Sequence, residues 1–214
     1  MERLTPPRAL AAFRAAGGVI DYSFFLATDE DLATVGTAMQ RHFSELDGVG
    51  PLWRPSFDAA ALETLPRRKV DKVTLFGSWY EPSTGELKKL GSGVVKGKGN
   101  LTDPLYSELG TGRTLNWAGP APEAGTGGQY AYAFTEPPHG LSAEPATVQS
   151  LFDDINSEVF PSKFDHLIVD WSGEDLVKLS NYFEAGMEWW GVLLFTVYVP
   201  HLQRLTVVSA STTD

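Results

Sequence analysis

Apolar residues keep helical spacing in several stretches of the chain and alternate with polar ones in others. Leu32, Val35, Met39, Phe43 and Leu46 recur three and four apart, which predicts a helix with one buried face. Thr28-Asp29-Glu30-Asp31 ahead of it offers short side-chain oxygens to cap the first turn. Val148, Leu151, Phe152, Ile155 and Val159 predict another helix at about 146–160. Residues 5–16 predict a third, begun by Pro6 and Pro7 and stopped at Gly17-Gly18. Ser56 opens a short helix ending near Leu65. Ser172 with Asp175 reads as a capping box before a helix over Glu174–Ala185, stopped by Gly186.

Strands follow from the two-residue period and from β-branched and aromatic runs. Val19 to Ala27 is one. Val73, Leu75, Gly77 and Trp79 alternate with Thr74, Phe76, Ser78 and Tyr80, and a turn at Pro82–Gly85 leads into Leu87–Val95, which predicts a hairpin. Tyr130, Tyr132 and Phe134 alternate with Ala131 and Ala133, predicting a strand with an aromatic face. Phe164–Trp171 is a further strand, and residues 188–199 and 203–211 form a pair turned by Pro200-His201-Leu202.

Together these elements predict one α+β domain over residues 1–214, a single mixed and mainly antiparallel sheet with helices packed on it. Residues 96–128 are rich in Gly and Pro and are expected to be flexible. Shifting the chain by 144 residues lays Asp21 over Asp165 and Glu30-Asp31-Leu32 over Glu174-Asp175-Leu176, four identical positions. Two related strand–helix–hairpin halves would produce this match. So would ordinary helix-start chemistry, which favours acids after Ser or Thr.

Composition narrows the chemistry. The chain has 214 residues, 43% of them apolar, and no cysteine, which excludes disulfides, thiolate nucleophiles and Cys-ligated zinc or iron–sulfur clusters. Arg3, Arg8 and Arg14 interrupt any signal-peptide apolar core, and the most apolar run, Trp189 to Pro200, is shorter than the roughly 20 residues a spanning helix needs. A cytoplasmic protein without membrane contact is expected. The net charge of −10 lies wholly in the second half: residues 1–113 carry 14 basic and 14 acidic side chains, residues 114–214 carry 3 and 13. Such a field draws cationic surfaces and repels phosphates, so nucleic acid is not an expected partner.

Candidate catalytic groups are sparse. Asp165, His166 and Asp170 are the densest set, but on a strand Asp165 would face away from the other two, which makes a poor metal site. His42 lies beside the apolar stripe of its helix, as a partly buried surface residue would. Gly91–Asn100 (GSGVVKGKGN) departs from a Walker loop at two positions, and no G-x-S-x-G elbow is present. The sequence therefore assigns no metal and no other cofactor.

The expected function is binding. Trp189 and Trp190 are adjacent large contact residues, and Asp170, Glu184 and Glu188 would form an acidic rim around them for the Lys and Arg of a basic protein partner. In general character the chain is similar to bacterial toxin-neutralising immunity proteins, being small, acidic, cysteine-free and mixed α and β. That is a likeness of type which no motif carries. The alternative is a small-molecule hydrolase using Asp165, His166 and Asp170 at a strand end.

Overall fold

The computed structural model of the chain describes residues 1–46, 54–90, 105–116, 122, 128–188 and 191–211. From the N-terminus come β1 (Glu2–Arg3), α1 (Arg8–Ala15), β2 (Asp21–Leu26), α2 (Leu32–Ser44), α3 (Ala59–Thr64) and β3 (Arg68–Val70). Next are α4 (Lys72–Phe76), a 3₁₀ turn at Gly77–Trp79, β4 (Tyr80–Glu81), β5 (Glu86–Leu90), β6 (Leu105–Glu108) and β7 (Thr114–Asn116). Then follow α5 (Tyr130–Thr135), α6 (Pro145–Val159), β8 (Leu167–Asp170), α7 (Leu176–Leu179), a 3₁₀ turn at Asn181–Phe183 and α8 (Glu184–Glu188). β9 (Val192–Val199), a 3₁₀ turn at Pro200–Leu202 and β10 (Arg204–Ser211) complete the series.

The fold is α+β, and every strand pair among the described residues is antiparallel. The strands divide between two sheets. Six form a large sheet in the order β1-β2-β10-β9-β8-β3, and four form a smaller one in the order β4-β5-β6-β7. Because side chains alternate across a strand, the large sheet feeds two cores. Tyr22, Phe24, Ile168, Phe195 and Val208 face α1, α4, α5, α6 and the small sheet. Phe25, Leu194, Leu205 and Val207 face α2, α3 and α7. β9 is buried at all eight positions because both its faces are covered.

Several predicted elements appear as read. α2 begins at Asp31, whose carboxylate accepts from Thr34 N, and buries Val35, Met39 and Phe43. α6 starts with Pro145 in its first turn and buries Val148, Leu151, Phe152, Ile155 and Val159. The Pro200–Leu202 turn joins β9 to β10 as expected.

Other elements correct the sequence reading. Residues 72–79 are helical and not the first strand of a hairpin, since Asp71 caps Thr74 N and starts α4. The chain then turns at Gly77, whose φ of +73° is open to glycine and whose Cβ would run into the Gly128 carbonyl. Residues 130–135 form a helix buried on every side, so their two-residue alternation of aromatic and Ala does not mark a strand. The helix expected over 174–185 is broken at Ser180, whose backbone is extended and whose hydroxyl caps Tyr182 N. Ser172 caps nothing; its hydroxyl accepts from Leu194 N. Within the Gly/Pro-rich 96–128 segment, residues 105–108 and 114–116 are strands, and most of the remainder lies outside the described residues.

The proposed halves coincide only in part. β2 and β8 flank the β10-β9 pair symmetrically, and each is followed by helices, but β4 and β5 join the small sheet instead of pairing with β2. Among the described residues no helix is long and apolar enough to cross a membrane.

Candidate binding site

Asp165, His166 and Asp170 do not come together in one site. Asp170 is buried at the end of β8, where Arg68 Nη2 meets its Oδ2 at 2.7 Å and Ser172 N donates to its Oδ1 at 2.9 Å. It braces the β3–β8 edge and is not part of a solvent-facing acidic rim. Arg68→Ala will leave this carboxylate without its cation and will lower stability by about 1–2 kcal/mol in urea unfolding, a modest figure because Arg68 itself is half-exposed. Asp165 is exposed, and His166 Nδ1 lies 3.3 Å from the Phe164 carbonyl. Among the described residues no three His, Asp or Glu are placed to hold a metal. Glu184 is exposed, Glu188 ends α8, and Trp189 and Trp190 lie outside the described residues.

The acids of the second half that lie among the described residues stand on both sides of the large sheet and do not converge on one patch. Glu174, Asp175 and Glu184 accompany α7 and α8 against one core, with Asp175 paired to Lys178 at 2.6 Å. Glu144, Asp153, Asp154 and Glu158 accompany α6 against the other. β8 separates the groups because the chain passes through the sheet between α6 and α7.

The α6 group adjoins a cavity of about 250 Å³ walled by Phe76, Tyr80, Phe152 and Phe160, with Asp153 and Lys72 in its lining. The walls are locked together. Phe76 meets Tyr80, Phe152 and Phe160 at ring-centroid separations of 4.8, 5.3 and 5.5 Å, all edge-to-face. Beneath them Tyr130 OH donates to Asn156 Oδ1 at 3.0 Å and lies 2.9 Å from Tyr22 OH, tying α5, α6 and β2 together. Gln149 joins α6 to the small sheet by accepting from Leu87 N at 2.9 Å, and its amide donates to Asp153 Oδ1 at 3.0 Å. Burial against the rings raises the Asp153 pKa. Gln149 opposes that shift, Asp154 adds to it, and the Lys72 charge opposes it. Lys72 Nζ already lies 5.5 Å from the Phe76 centroid, so the site holds a cation of the chain's own.

Aromatic walls beside an exposed carboxylate that is only partly shielded from water favour an alkylammonium or guanidinium group. Arg204, at the far end of α6, plays a different part: it binds the Glu158 carbonyl at the helix C-terminus and lies over Phe24. Lys72 and Phe76 stand one helical turn apart on α4, whereas Tyr80 comes from β4 beyond the turn at Gly77, so no single period in the sequence joins the three. Asp153 and Asn156 lay on a correctly predicted helix, but nothing in the sequence placed these rings beside them.

His42, read as a partly buried surface residue, is fully enclosed. Its Nδ1 and Nε2 each lie 2.8 Å from a serine hydroxyl, those of Ser23 on β2 and Ser209 on β10. Burial, reinforced by the charges of Arg3 and Arg14, pushes its pKa down to about 3. The imidazole is therefore a neutral cross-brace between helix and sheet. No family model, curated protein or solved structure matches the chain.

Proposed function

We propose that the protein is a non-enzymatic cytoplasmic binding protein of the toxin-neutralising type, and that it docks a basic protein partner on the exposed side of α6. The observation that carries this reading is the cavity beside Asp153, where four aromatic rings and a partly desolvated carboxylate are shaped to take a Lys or Arg side chain from the partner. Glu144 and Asp154 extend the negative surface along the same helix, and residues 136–162 contain no Lys or Arg. The net charge of −10 would speed encounter with such a partner and make the rate fall with salt.

The test is affinity capture from the host at low and moderate salt, followed by titration of the captured protein against wild type and Asp153→Lys/Asp154→Lys. The expected result is a basic protein bound by the wild type and weakened at least about tenfold by the charge reversal. Equal binding by the variant, or a captured protein that is acidic, would overturn the reading.

A further inference from the structure

A second cavity, of about 280 Å³, opens on the opposite face of the large sheet, between the first turns of α2 and the edge strand β3. Its floor is Leu167, Val169 and Leu205, and Val35 of α2 forms a wall. The two polar aromatic groups in the lining are already satisfied. Trp171 Nε1 donates to Thr196 Oγ1 at 3.1 Å, and Tyr198 OH donates to the Thr28 carbonyl at 2.7 Å. Both rings therefore offer the cavity apolar surface.

The rim differs in kind. Along β3 and the residue before it the side chains alternate: Arg68 turns to Asp170, whereas Arg67 and Lys69 line the cavity. Both are exposed, and neither has a hydrogen-bond or ion-pair partner among the described residues. Glu30 lines the cavity from the loop before α2 and is within 4 Å of neither cation. The site thus combines an apolar interior with two uncommitted positive charges on one side of its mouth. At roughly 30 Å³ per water the space holds about nine water molecules, or a ligand of about ten non-hydrogen atoms.

We infer that this cavity binds a small apolar carboxylic acid, its hydrocarbon part lying over Leu167, Val169 and Leu205 and its carboxylate between Arg67 and Lys69. Glu30 fixes the direction, since a carboxylate placed on the α2 side would meet like charge. This inference rests on no feature of the α6 face.

The test is calorimetric titration of the full chain with octanoate, octylamine and the dipeptide N-acetyl-leucyl-phenylalanine, which carries an apolar group and carboxylate at a peptide end. Octanoate is expected to bind one to one, and octylamine at least about tenfold more weakly. Arg67→Ala/Lys69→Ala, confined to exposed side chains, is expected to weaken octanoate at least about tenfold, and Val169→Trp to abolish binding by filling the floor. Asp153→Lys is expected to leave octanoate binding unchanged. Thermal unfolding checks that each variant folds, and the Arg67/Lys69 variant decides the matter if Val169→Trp does not. The inference is overturned if octanoate fails to bind, if octylamine equals it, if removing the two cations changes nothing, or if the dipeptide binds more tightly and so assigns the site to a peptide terminus.

Discussion

Acidification from about pH 7.5 to about pH 4.5 will lower this protein's folding stability by about 2–3 kcal/mol through His42 alone. In the folded protein the ring titrates near 3, while in the unfolded chain it titrates near its ordinary value of 6.5. Below 6.5 the unfolded state binds the extra proton and is favoured, so stability declines by about 1.4 kcal/mol per pH unit, and this decline ends once the pH falls through 3. Carboxylates held down by partners, such as Glu108 beside the Arg113 guanidinium, add a loss that begins as the pH falls through the ordinary Glu value and continues below it. His42→Asn separates the two effects. It will remove the decline between about pH 6.5 and 5, and it will lower stability near pH 8 by about 1–3 kcal/mol because Ser23 and Ser209 lose a buried partner. Urea unfolding across the pH series measures both. An unchanged profile in the variant would show that the imidazole is not the group responsible.

Phe76→Ala will cost about 3–5 kcal/mol, a large part of the roughly 5–15 kcal/mol that holds a domain of this kind together. Phe76 is 1% exposed, and its ring touches Tyr80, Tyr130, Phe152 and Phe160, drawn from β4, α5, α6 and the residue after α6. Truncation leaves a void lined by stiff aromatic groups, which cannot collapse as a cluster of aliphatic side chains would. Phe76→Leu keeps most of the volume and is expected to cost about 1–1.5 kcal/mol. It still removes the ring beneath Lys72 and the wall of the α6 cavity, so it will weaken the basic partner while leaving the fold intact. Urea midpoints for both variants test the first part, and partner titration of Phe76→Leu tests the second. A loss below about 1 kcal/mol in Phe76→Ala would mean that the ring is not the hub of this layer.

Two kinds of segment were legible in the sequence: helices with one face in water, and strands carrying β-branched and aromatic runs. α2 and α6 have an exposed side, so apolar spacing revealed their period, and β2 and the β9–β10 pair carry the β-branched and aromatic runs of strands. The α5 segment has no polar face, and a helix buried all round leaves no phase to read. In α4 the alternation of Val73, Leu75 and Gly77 has the period of a strand, yet Asp71 three residues before Thr74 is a helix-start signal that outweighs it. The acids were legible as charge but not as a surface, because their division between two faces depends on where β8 enters the sheet. Asp170 and His42 illustrate the same limit, each held by residues distant in sequence, Arg68 for one and Ser23 with Ser209 for the other.

β10 lies between β2 and β9 at the centre of the large sheet, and its partner β2 precedes it by about 180 residues. At about 5–20 residues per second, the ribosome exposes β2 some 10–40 s before β10 can close the gap. Through that interval Phe25 lacks Leu205 opposite it, and the β2 backbone edge that β10 will occupy is open. Nascent chains of this protein should therefore depend on chaperones until the β9–β10 hairpin has emerged, and removing β10 should produce aggregation more readily than trimming β1 from the outer edge.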